Sequence, residues 1–118
     1  MQQKPLKPLH HGIIDYGFAA IQLAGPTVLG LNKKTTKLHA LLGLKLLGLT
    51  ALTDSPAGIK PVVSLKTHRK VDLAVLGSMT ALTAMKPIYQ NRRSLIFHLA
   101  LVGLGAASFL LTDYKNRR

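Results

Sequence analysis

Five histidines and four aspartates are the residues of this chain best suited to chemistry, and most of them fall into matched sets. Residues 11–15 read HGIID and residues 68–72 read HRKVD, so His11 and Asp15 recur as His68 and Asp72 at an offset of 57. On a helix, positions i and i+4 lie on one face. Two such faces brought together offer two imidazoles and two carboxylates, a ligand set suited to zinc or iron. The same groups also have a purely structural use. An aspartate near a helix start interacts favourably with the free amides and the dipole there, and a histidine one turn earlier can bond to it or pair across helices. Structural pairing is the first explanation of the motif. A metal site at His11, Asp15, His68 and Asp72 is the second, and proton or ion handling the third.

A second set repeats at an offset of 59, with His39 and Thr53-Asp54 matching His98 and Thr112-Asp113. His39 and His98 each sit near the start of equivalent apolar runs, where they could face one another and bind haem axially. Asp54 and Asp113 follow their runs, where a carboxylate opposes the helix dipole. Arg69, Lys70 and Lys115 are the expected partners on that side. Catalytic patterns are sparse: there is no Cys, no Glu, and GLKLLG lacks the Lys-Ser/Thr ending of a phosphate loop. An enzyme is not expected.

The elements that must position these residues are four apolar runs, roughly 12–31, 38–53, 71–89 and 94–112. They are rich in Leu, Ala and Gly, show no strand-like alternation, and have helical lengths. A run of about 18 to 20 residues nearly crosses a hydrocarbon core of roughly 30 Å. The second run is short by that measure and needs snorkelling neighbours such as Lys37. Lys45, inside LLGLKLLGL, is expensive at membrane depth and is expected to snorkel or to pair with Gln22.

Composition supports the same reading. Sixteen Lys and Arg stand against four Asp, for a net charge of +12, while 47% of residues are hydrophobic. The basic residues cluster between the apolar runs, at 33–37, 60–70, 86–93 and 115–118. That placement suits a bilayer with anionic headgroups better than nucleic acid, for which no motif is present. A soluble all-α bundle is the alternative, but the runs lack the polar faces it needs.

The expected fold is therefore all-α, a four-transmembrane-helix bundle forming one domain over residues 1–118. It consists of two tandem helical hairpins, about 9–58 and about 66–114, related by a pseudo-two-fold along the membrane normal. Pro26 and Pro87 are expected to close the first helix of each hairpin. Nine Lys and Arg lie on the side of the termini and six on the other, which predicts both termini cytoplasmic. Small residues such as Gly43, Gly48, Gly77 and Ala81 permit close helix packing and are compatible with a homo-oligomer.

HGIIDYG, running into Leu23-Ala24-Gly25-Pro26 and Leu29-Gly30, resembles the SPW-repeat proteins of bacteria, small integral membrane proteins in which a His-x-x-x-Asp helix start leads to a Ser-Pro-Trp signature. His68, Asp72 and Pro87 carry the resemblance in the second half. Gly25-Pro26-Thr27 and Lys86-Pro87-Ile88 stand where that signature would be, and the chain has no Trp. The resemblance implies a bacterial inner-membrane location and a four-helix build, and it brings no activity. The functional expectation is a non-catalytic scaffold or accessory subunit. The alternative is a protein that handles metal, haem or protons through its histidines and aspartates.

Overall fold

The computed structural model describes residues 4–115, and these are helical apart from their connections. Five helices follow one another: α1 (Pro8–Val28), α2 (Lys33–Ala51), α3 (Leu65–Leu82), α4 (Lys86–Tyr89) and α5 (Arg92–Leu111). The helices begin before the apolar runs because polar residues cap them. Asn32 accepts the Thr35 amide at 2.8 Å, Ser64 that of Thr67 at 3.1 Å, and Asn91 that of Ser94 at 3.0 Å. Each cap satisfies an amide that the first helical turn leaves without a partner.

Two boundaries correct the expectation from sequence. Pro26 does not close α1 but lies inside its last turn. The actual stop is Gly30, whose φ of 65° is left-handed. Leu31 N–H then reaches the Pro26 carbonyl and Gly30 N–H that of Thr27, the paired C-terminal bonds that glycine makes accessible. The third run is not one helix either. It breaks after Leu82, and Pro87 opens the short helix α4 instead of ending α3, a position where proline's missing N–H costs nothing.

α1 packs antiparallel on α2, and α3 on α5. Gly43 makes the first crossing close, since a Cβ there would sit 3.0 Å from the Ala19 carbonyl and 3.1 Å from Gln22. The hairpins are buckled to each other at one end by two parallel bridges, Leu6 with Thr112 and Val63 with Thr53. The bonds correspond one to one. Asp113 N–H meets the Leu6 carbonyl at 2.8 Å and Leu6 N–H that of Leu111; Asp54 N–H meets the Val63 carbonyl at 2.7 Å and Val63 N–H that of Leu52.

Polarity is inverted relative to a water-soluble bundle. Among the described residues, twelve polar or charged side chains are buried, against six hydrophobic ones other than proline. Twenty-one large apolar side chains are exposed, including Ile13, Leu44, Leu73 and Leu104 on the four long helices. By length and composition, α5 is the one described helix apolar enough to cross a membrane, with a mean hydropathy of 2.0. His10, His11, Asp15 and Gln22 lower the value for α1, and lysines lower it for α2 and α3. Lys45 is exposed on α2 and is not Gln22's partner.

Candidate functional site

His11 and Asp15 are the fourth and eighth residues of α1, and His68 and Asp72 hold the same places in α3. Both aspartates thus lie beyond the first turn, so a helix-start interaction does not account for them. What they meet is each other's histidine. His11 Nε2 is 3.0 Å from Oδ2 of both Asp15 and Asp72, and His68 Nε2 is 3.2 Å from the same two oxygens. The four atoms form a closed box, all within 4.8 Å of one another. His11, Asp15 and His68 are buried, and Asp72 is partly covered.

The outer nitrogens are held by threonines from the opposite hairpin. His11 Nδ1 lies 2.7 Å from Thr112 Oγ1, and His68 Nδ1 lies 2.6 Å from Thr53 Oγ1. Each threonine donates its own hydroxyl hydrogen to the carbonyl one turn back, Thr112 to Ser108 and Thr53 to Leu49, both at 2.5 Å. A hydroxyl has one hydrogen to give, so toward the ring each threonine can only accept. Both Nδ1 atoms therefore carry hydrogen, and both Nε2 atoms point into the box. This is the way ligating histidines are commonly oriented, with the far nitrogen fixed by an acceptor.

Other contacts complete the site. Tyr114 donates to Asp72 Oδ2 at 2.9 Å, and Thr50 to Asp15 Oδ2 at 3.5 Å. Burial, and then the Asp72 charge, push the Tyr114 phenol well above its ordinary value, so it remains a donor. Ser108 Oγ stands 3.0 Å from His11 Nδ1. A cavity of about 60 Å³ adjoins the box, bordered by Phe18, Met79 and Leu101 on its apolar side. Such a volume holds roughly two waters.

His39 and His98 also come together, at the other end, with Nε2 of His39 3.1 Å from Nδ1 of His98. His98 Nε2 is 2.6 Å from the Met79 carbonyl, so it must donate. His98 Nδ1 then accepts from His39 Nε2–H, and His39 Nδ1 accepts from the Gln22 amide at 3.1 Å. Both histidines are fully buried. Every ring nitrogen is thus engaged in a one-way chain.

The groups expected to pair at the outer helix ends make these contacts. Asp113 accepts the Lys115 backbone amide at 3.0 Å, and Arg69 lies over the Phe109 ring, 5.3 Å from its centre. No ion pair joins Asp113 to Arg69, Lys70 or Lys115 among the described residues, because the strand-like bridge turns its segment back toward Leu6. Asp54 is tied through its backbone to Val63. Thr53, Thr112, Tyr114, Ser108 and Thr50 are the functional neighbours that sequence reasoning missed. The repeated Thr-Asp pair after each hairpin was the available signal for the first two.

No family model, curated protein or solved structure matches the chain. What the site can do therefore follows from its own geometry.

Proposed function

We propose that this chain is a small multi-span membrane module, non-catalytic, in which four long helices cross the bilayer and the His/Asp box joins the two hairpins near one interface. The observation that carries this reading is the inverted polarity, with polar groups inside and large apolar side chains outside. In water an exposed apolar surface of that extent is unfavourable, whereas in hydrocarbon it is the natural outer face. The longest extent of the chain, 42 Å, also spans a core of roughly 30 Å with its headgroup layers. Inside a low-dielectric medium, polar side chains must find partners within the protein. Among the described residues no buried side-chain nitrogen or oxygen is left without one. The scaffold or accessory role rests on the absence of a recognisable catalytic pattern in the sequence.

The test uses the lack of cysteine. Single cysteines introduced at Ile13, Leu44, Leu73 and Leu104 in membranes should resist a water-soluble maleimide, while one at Lys60 should react. Reaction at Leu44 and Leu73 with Leu104 protected would leave a single crossing, and a chain released by alkaline carbonate would end the membrane reading altogether.

A further inference from the structure

We propose that His11, Asp15, His68 and Asp72 bind one divalent transition-metal ion, zinc in the first instance, through both Nε2 atoms and one oxygen of each carboxylate. This goes beyond the membrane reading and does not depend on it.

The argument begins with the hydrogens. The threonine bonds place hydrogen on Nδ1 of each ring, so a neutral imidazole turns the lone pair of its Nε2 toward two carboxylate oxygens 3.0–3.2 Å away. A lone pair facing two anionic oxygens repels them. The box is thus stable only if positive charge fills it. Two ring protons would do so, giving two imidazolium–carboxylate pairs, and so would one divalent cation. In either case the charge of the two aspartates is balanced, which a buried site requires.

The donor set and spacing favour the cation. Neutral imidazole and carboxylate are ligands that zinc takes, at about 2.0–2.2 Å from the metal. Four-coordinate ligands at that distance stand about 3.3 Å apart, close to the four nitrogen–oxygen edges of 3.0–3.2 Å; the two remaining spacings, within 4.8 Å, would draw in as the ion binds. Four protein ligands contributed in matched pairs from α1 and α3 would close the coordination sphere as structural zinc sites do. The second layer is already in place. Thr53 and Thr112 fix the rings, and Tyr114 donates to Asp72 at 2.9 Å. An imidazolium pair would use the same two threonine acceptors, so the ring orientation suits either filling, and it is the donor set that points to the ion. The adjoining cavity of about 60 Å³ offers room beside the ion, and the box lies within about two turns of the starts of α1 and α3.

The experiment is a titration of the full chain in detergent, stripped beforehand with a chelator. Co²⁺ is the probe, because its ligand-field absorption reports coordination directly. Uptake of one Co²⁺ per chain is expected, with visible bands that Zn²⁺ abolishes. The Asp15→Asn/Asp72→Asn variant should show no bands. Thr53→Val with Thr112→Val keeps all four ligands and should weaken binding 10- to 100-fold, the usual loss when a ligand's supporting contact is removed (about that range). A folded native chain that takes up neither ion at tenfold excess overturns the proposal and leaves an ion-pair box. Bands that persist unchanged in the double Asn variant overturn it too, since the metal would then sit elsewhere. The native titration decides the matter even if that variant fails to fold.

Discussion

At one end of the bundle two repeat-related histidines face two carboxylates; at the other, two repeat-related histidines face each other. The residues are of one type and come from equivalent places, yet the chemistry diverges. In the box each histidine meets an aspartate of both hairpins, so two identical halves can make identical bonds. Where His39 meets His98 that is impossible, because a hydrogen bond between two like rings has one hydrogen for two nitrogens. One ring must give and the other accept. Symmetry therefore breaks there, and different groups finish the chain: the Gln22 amide on one side and the Met79 carbonyl on the other. Like facing like produces a directional link, while unlike facing unlike produces a closed, even-handed site.

The largest expected effect comes from opening the box. His68→Ala leaves Asp15 and Asp72 buried near a single histidine, and breaking a buried ion pair on one side removes about 3–5 kcal/mol of stability. Denaturation in detergent should show that loss, and a loss below 1 kcal/mol would mean the box carries little of the fold. His98→Ala should be milder, about 1–3 kcal/mol, because it strands the His39 N–H and leaves the Met79 carbonyl only the Thr83 hydroxyl at 3.4 Å, but strands no charge. If His98→Ala proved the worse of the two, the polar chain and not the box would be the main joint between the hairpins. Gln22→Leu leaves the buried His39 Nδ1 without its donor, so about 1–3 kcal/mol is expected, with the His39 resonance as its local reporter.

Glycines sharpen the same contrast at smaller scale. A Cβ on Gly58 would collide with the Thr53 carbonyl, which is backbone and adjacent to the hydroxyl holding His68. Gly58→Ala should destabilise by about 1–3 kcal/mol, as overpacking does, and should also shift the His68 ring signals in NMR. A Cβ on Gly25 would stand 2.9 Å from the Phe97 ring, a side chain and not backbone, so a small shift of the ring relieves it. Gly25→Ala should therefore fall at or below the low end of that range, about 1 kcal/mol.

Much of this contrast is readable in the sequence. Residues 57 and 59 apart named the two histidine pairs, and the lengths of the runs placed one pair at each end. The helix starts were less legible, because Asn32, Ser64 and Asn91 are polar and a hydropathy pattern excludes them although they initiate the helices. Pro26 misled for a related reason: a proline in a last turn removes one amide without stopping the helix, and Gly30 does the stopping. The direction of the His39–His98 link was not legible in the sequence. Sequence can say that two histidines meet, but only the Met79 carbonyl says which nitrogen must donate. The place of Arg69 over Phe109 was not legible either, because composition counts charges and does not show which ring a guanidinium covers.

The two parallel bridges have a consequence for how the molecule is joined. Thr112, at the end of the second hairpin, orients His11 of the first; Thr53, at the end of the first, orients His68 of the second. Neither hairpin finishes its own half of the site. In that sense the chain is a dimer whose subunits happen to share one polypeptide, and the stretch between Thr53 and Val63 acts as its tether. Two separate hairpins, produced from two messages in one cell, carry all the reciprocal contacts needed to find each other.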